Sequence, residues 1–286
     1  MQEKSKGLLI NLILYLVAFS VGMLPFVLIQ NIFLAEAAFT ATATVVIFIV
    51  TCFIPDTSLY DPYWSVAPVV MLVAAMIKYD LWSVNALLMF AVVFIWAFRL
   101  TLNWVITYKG LCHEDWRYHM FREKYGAFIY GLINFFGLQF VPTIVVYAGL
   151  VGAFYVIQSE GFSPLIIIGL VVMIGGTVLE FVADTTVHRF LKDERNIGHT
   201  CDISVWKYSR HPNYLGEMSF WTGIYIAFVC VCPKIWYLGL GFLTIILLFS
   251  VVSIPMMEKH NSKRRSDYGD YKKMTSVLLL LPRKKI

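Results

Sequence analysis

Charge is scarce in this chain. Aspartate, glutamate, lysine and arginine make up 14% of the 286 residues, against 59% hydrophobic residues, whereas soluble domains carry about a quarter charged. A soluble core of this size could not bury so much apolar surface, which excludes an ordinary soluble domain. The five cysteines (Cys52, Cys112, Cys201, Cys230 and Cys232) show neither zinc-type pairing nor the spacing of a secreted disulfide framework. Cys52, Cys230 and Cys232 read as apolar filler. Also missing are the dinucleotide fingerprint GxGxxG, a P-loop and the HExxH metal motif. No metal site is expected, and any nucleotide cofactor must be held by a constellation other than a Rossmann domain.

What the chain has instead is a series of long apolar runs, near the roughly 20 residues a helix needs to cross hydrocarbon. They predict an all-α, polytopic bundle of about eight spans, at about 8–30, 33–54, 65–77, 81–106, 132–158, 162–183, 213–232 and 235–257. The third is short enough to be tilted or partly inserted. The first follows Lys4 and Lys6, but from Gly7 to Ile29 it exceeds the roughly 7–15 residues of a signal-peptide core and ends in no small-residue cleavage site. It reads as a retained helix.

An even number of spans puts both termini and the loops after spans two, four and six on one side. That side collects 20 of the 23 lysines and arginines; Lys78 and Lys234 fall outside it, and Arg99 lies within span four. The asymmetry predicts cytoplasmic termini, in an inner membrane for a bacterium or the endoplasmic reticulum for a eukaryote. Because the basic residues sit in separate short loops, nucleic-acid binding is a poor reading. Membrane lipids are the expected surroundings.

Ionisable groups within spans are costly and therefore functional candidates. Glu180, Asp184 and His188 are spaced four apart, on one helical face, with Lys192 a turn further if the helix continues. That face offers acceptors for ribose hydroxyls and cations for phosphate, or equally a solvated helix end with i,i+4 pairs. The segment Trp206-Lys207-Tyr208-Ser209-Arg210-His211-Pro212-Asn213-Tyr214-Leu215-Gly216-Glu217 is the most informative. Pro212 suits a first helical turn, so Arg210 and His211 would precede a helix N-terminus that attracts anions. Asn213 and Glu217 would share a face, with Trp221 a turn beyond. The loop Asp56 to Trp64 is acidic and aromatic; its Asp61 and Tyr63 either supply protons or form a turn in an interfacial anchor. The cluster His113-Glu114-Asp115-Trp116-Arg117-Tyr118 either lies at the surface or lines the same inner cavity.

Three stretches together resemble the steroid 5-alpha-reductase superfamily, more distantly related to sterol reductases: Asp61-Pro62-Tyr63-Trp64, Glu114-Asp115-Trp116-Arg117-Tyr118 and Ser209-Arg210-His211-Pro212-Asn213-Tyr214-Leu215-Gly216-Glu217. The likeness runs from 55 to 286 within a single membrane domain, after N-terminal spans over 1–54, with the cofactor-binding half at about 162–286. It implies NADPH-dependent reduction of a carbon–carbon double bond in a lipophilic substrate (steroid-like, isoprenoid or another lipid) that enters from the bilayer. The cofactor pocket would sit at the cytoplasmic half of the C-terminal helices, on Asp184, Arg189, Lys192, Trp206, Arg210, His211, Asn213, Tyr214, Glu217, Glu258 and Tyr268. Asp61 takes the family's acidic position. Where steroid reductases place a tyrosine three residues before an arginine, this chain has Trp96 before Arg99, leaving Tyr63 or Tyr118 as the phenol. Isoprenylcysteine carboxyl methyltransferases, which use S-adenosylmethionine, share an RHP segment and a C-terminal acidic element. A third reading is a non-catalytic lipid-binding protein.

Overall fold

The computed structural model describes residues 2–54, 56–111 and 113–284; Cys112 lies outside them. Among the described residues there is no β-strand, only one isolated bridge between Ser209 and Ser276, and eight helical segments are long and apolar enough to cross a bilayer. The chain divides into two compact units, Met1–Phe162 and Ser163–Ile286.

The first unit holds α1 (Gln2–Leu28), α2 (Ile32–Phe53), α3 (Tyr63–Lys78), α4 (Val84–Thr107), the short α5 (Trp116–Lys124), and a fifth span in which α6 (Ala127–Leu132) and α7 (Val141–Ile157) are joined by a π-helical stretch, Ile133–Phe140. Asn31 and Ser83 start α2 and α4 by accepting from the amides of Leu34 and Ala86. Ser83 therefore sets the start of span four three residues later than hydropathy suggested. Phe39, Ala43 and Ile47 of α2, Met71 and Leu72 of α3, Trp96 of α4 and Phe154 of α7 are buried. Leu12, Leu16, Phe94, Ile95 and Phe98 stay exposed, as a lipid-facing surface requires and a water-facing one does not. The third span is longer than its apolar run, because a buried 3₁₀ turn, Thr57–Tyr60, precedes α3 and extends it to Thr57–Lys78.

The second unit contains α8 (Ile166–Phe190), α9 (Pro212–Val231), a last span over Pro233–Arg264 that includes α10 (Phe242–Leu247) and α11 (Ile254–Arg264), and α12 (Tyr268–Met274). Helix α8 runs two turns past the apolar run, so Glu180, Asp184 and His188 do lie on one helix; Lys192 falls beyond its end at Phe190. α8 and α9 touch backbone to backbone through glycines seven residues apart. A Cβ on Gly169 would meet Gly223 O at 2.5 Å, and one on Gly216 would meet Gly176 O at 2.6 Å. Small residues permit such an approach, which dispersion then rewards. Gly216→Val should force the two helices apart at a cost of about 1–3 kcal/mol, read as a lowered unfolding temperature of the purified protein, whereas Gly175→Ala, whose Cβ would meet nothing within 4 Å, should leave that temperature unchanged.

Candidate functional site

In the first unit two polar loops are stitched together. Asp56 caps the Thr57–Tyr60 turn by accepting from Ser58 N at 3.0 Å. Glu114 Oε1 accepts from Thr57 N at 3.0 Å and from Arg122 at 2.7 Å. The amide of Asp115 donates to Ser58 Oγ at 3.0 Å, and Asp115 in turn caps α5 by accepting from Arg117 N and Nε. These contacts carry Tyr118, on the first turn of α5, onto Asp61, to whose Oδ1 its hydroxyl donates. Burial first, and then the neighbouring Asp61 carboxylate, push the Tyr118 phenol well above its ordinary pKa, so the phenol stays protonated as a donor. Burial also raises the carboxyl of Asp56 to about 6.

Tyr63 points elsewhere. Its hydroxyl pairs with Thr40 Oγ1 at 2.8 Å and donates to Thr40 O at 3.0 Å, and its ring, 1% exposed, packs on Tyr60. The phenol on Asp61 is therefore that of Tyr118. Trp96 is fully buried on α4.

In the second unit, α9 starts at Pro212 with His211 as its N-cap. The approach is fixed by the C-terminal segment: Arg210 N donates to Ser276 O at 2.9 Å, Ser209 Oγ to Leu278 O at 2.7 Å, and Leu281 N to Tyr208 O at 3.2 Å. Behind this turn, Glu258 gathers four groups. Its Oε1 lies 3.0 Å from His211 Nε2 and 3.3 Å from Arg210 Nε, and accepts from Tyr268 at 2.8 Å; its Oε2 lies 3.1 Å from Lys272 Nζ. Burial and the adjacent carboxylate raise the phenol of Tyr268. The His211 ring lies parallel to that of Tyr214, 5.4 Å away, and Trp206 is pinned to α8 by donating to Ala183 O at 2.9 Å.

These elements enclose a cavity of about 200 Å³. Asp184, Trp206, Arg210, His211, Asn213 and Tyr214 line it, joined by His188 of α8 and by Asn261 and Arg265 at the end of α11. A more open groove of about 410 Å³ also borders Arg210 and adds Glu258, Lys259, Ser262 and Lys272. Of the other expected cofactor residues, Arg189 and Lys192 are exposed and off the cavity, and Glu217 is buried, accepting from Trp221 Nε1 at 2.9 Å. Glu258 and Tyr268 stand behind Arg210 and His211. Sequence reasoning missed Asn261 and Arg265; their spacing of three and seven from Glu258 was the available signal, since it puts one polar face on a helix. Cys201 is on the cavity wall, Cys52 is exposed, and Cys230 and Cys232 are partly buried. Among the described residues no three His, Cys, Asp or Glu side chains converge as a metal site.

The loop ahead of the cavity is tied to the tail by Asp267, which accepts from Thr200 Oγ1 at 2.6 Å and from Thr200 N. Partial burial raises this carboxyl, but the Thr200 bonds outweigh it and hold the pKa below its ordinary value. A depressed pKa stabilises the folded state above the ordinary carboxylate range, and that contribution is lost as pH falls through the folded value. Cleavage of the 193–203 loop by an acid-active protease should therefore rise as pH drops from about 5 to about 3. In Asp267→Asn it should be high at every pH.

Residues 47–276 match the model of DUF1295, described as a protein of unknown function, and this family is linked to steroid 5-alpha-reductase-like proteins. No curated protein and no solved structure matches the chain. With four fifths of its length under one family model, the chain belongs to the DUF1295 family.

Proposed function

We propose that this chain is a membrane-embedded reductase that uses NADPH to reduce a carbon–carbon double bond in a lipophilic substrate. The observation that carries this reading is the donor set around the cavity at the start of α9. Arg210 and Arg265 bring positive charge to a helix N-terminus that His211 caps, a combination suited to phosphate. Asp184, Asn213 and Asn261 suit ribose hydroxyls and amides, and Trp206 and Tyr214 offer ring faces. Ligand pockets commonly measure about 300–1,000 Å³, so a cavity of about 200 Å³ takes one part of a dinucleotide. Arg189 and Lys192, exposed on the same unit, add to the field that draws in a polyanion.

When bound, the nicotinamide supplies the hydride. The chain's own work is to orient, to exclude water and to supply a proton. Asp61, with the Tyr118 hydroxyl donating to it, is the group assigned to hydrogen-bond the substrate carbonyl and protonate the product. Both termini are assigned to the cytoplasm from the distribution of lysine and arginine.

The second reading, an S-adenosylmethionine-dependent methyltransferase, is favoured by one observation, the hold of Glu258 on Arg210 and His211. Calorimetry on the purified protein separates the two: NADPH should bind and S-adenosylmethionine should not, and the opposite result moves the assignment to the methyltransferase. Asn213→Ala should weaken NADPH binding by about 1–3 kcal/mol through a lost hydrogen bond in a desolvated site. Asp61→Asn should leave NADPH affinity unchanged and slow single-turnover oxidation of NADPH in membrane lipid extract by about 10²-fold. Reporter fusions at each terminus should report both on the cytoplasmic side.

A further inference from the structure

Glu36 is the acid that nothing so far accounts for. It lies four residues into α2, about 6 Å from the Ile32 end of a membrane-spanning helix, and outside residues 47–276 of the family match. Its side chain is fully buried, and neither carboxyl oxygen is hydrogen-bonded to the protein. A buried ionisable group in a span without a partner is expensive enough to be a candidate for function. The titratable groups facing it are Lys78 and Tyr63 of α3 and Tyr147 of α7. None of them bonds it: Lys78 donates to the carbonyls of Phe26 and Ile29, Tyr63 is on Thr40, and Tyr147 donates to Phe33 O.

From Glu36 a series of buried hydroxyls leads along the interior of the first unit. Thr40 follows one turn later, paired with Tyr63 at 2.8 Å, and the hydroxyls of Tyr63 and Thr44 meet at Thr40 O, to which they donate at 3.0 and 2.8 Å. Thr44 Oγ1 is 2.8 Å from Thr143 Oγ1, which is 2.7 Å from the hydroxyl of Tyr60. Tyr60 immediately precedes Asp61, which Tyr118 touches.

We propose that Glu36 is a proton-binding site, filled and emptied through the hydroxyl series Tyr60, Thr143, Thr44, Tyr63 and Thr40. Because both oxygens are enclosed, a proton is the one ligand that needs no room beside them. A metal ion or an amine would need further oxygens and space around it. Access from the Ile32 end is opposed by the fixed ammonium of Lys78, held over the rings of Phe26 and Tyr79 at 4.7 and 5.0 Å, since a fixed cation repels an incoming proton. At each hydroxyl one O–H bond breaks as another forms, so the hydroxyls end neutral, and the proton that Glu36 gains or loses is exchanged with solvent at the Tyr60 end, beside the partly exposed Asp61. Neither the site nor its route depends on the cofactor assignment.

Infrared spectroscopy of the full chain in lipid nanodiscs at neutral pH tests this. In the Asp61→Asn background, which removes the other acid assigned a transferable proton, a carboxylic-acid carbonyl band is expected with Glu36 intact, absent after Glu36→Gln, and present but displaced after Glu36→Asp, with thermal unfolding confirming that each variant is folded. In that background, a band that survives in folded Glu36→Gln, or no band with Glu36 intact, overturns the site. On transfer to D₂O the band shifts as the proton exchanges, and Thr44→Val and Thr143→Val should each slow that shift by about tenfold, the effect of one lost hydrogen bond. An unchanged rate in both overturns the route.

Discussion

Hydrocarbon offers no hydrogen-bond partner, so every polar group this chain carries into its spans must find one within the chain. That constraint organises both units. In the first it pulls side chains far apart in sequence into one web, where Thr44, Thr143 and Tyr60 share hydrogens and Gln139 bridges Thr51 to Asn134. In the second it pairs Glu217 with Trp221 on the same helix and leaves the α8–α9 contact to glycines. Glu36 is conspicuous because both of its carboxyl oxygens lack a hydrogen bond to the protein.

The charges at the cavity are set by a group that does not line it. Glu258 lies behind Arg210 and His211 and orients both, and Tyr268 and Lys272 complete its coordination. A carboxylate so placed neutralises part of the positive charge while fixing its direction, so the arginine presents a rigid donor rather than a mobile one. The close approach of α8 and α9 does the same for the walls, since Asp184 and His188 descend from one helix and Asn213 and Tyr214 from the other.

The spans were legible because an apolar run of sufficient length has few other outcomes in a chain so poor in charge. The start of α9 was legible because Pro212 lacks an N–H that the first turn would leave unpaired. The ends were less so. Serine capping moved span four, and a 3₁₀ turn lengthened span three, neither of which hydropathy registers. The pairing of Asp61 with Tyr118 depends on Ser58, Thr57, Glu114 and Asp115 joining loops 57 residues apart, and no local periodicity encodes such a join. Asn261 and Arg265 were hidden because the last helix continues beyond its apolar run to Arg264, where composition shows only a basic tail. The direction of Tyr63 was equally out of reach, since a spacing of two from Asp61 says nothing of which helix its hydroxyl meets.

The join between the turn before α9 and the C-terminal segment also orders events in time. Ser209 is made 69 residues before Leu278, the residue whose carbonyl it needs. Because chains emerge N-terminus first, α9 and the last span are synthesised while Arg210 still lacks the backbone that later receives its amide. The cavity is thus the last feature of the second unit to close. Until then Arg210 lacks the backbone that fixes its approach, and any ligand that shortens the wait would act as a folding aid as well as an occupant.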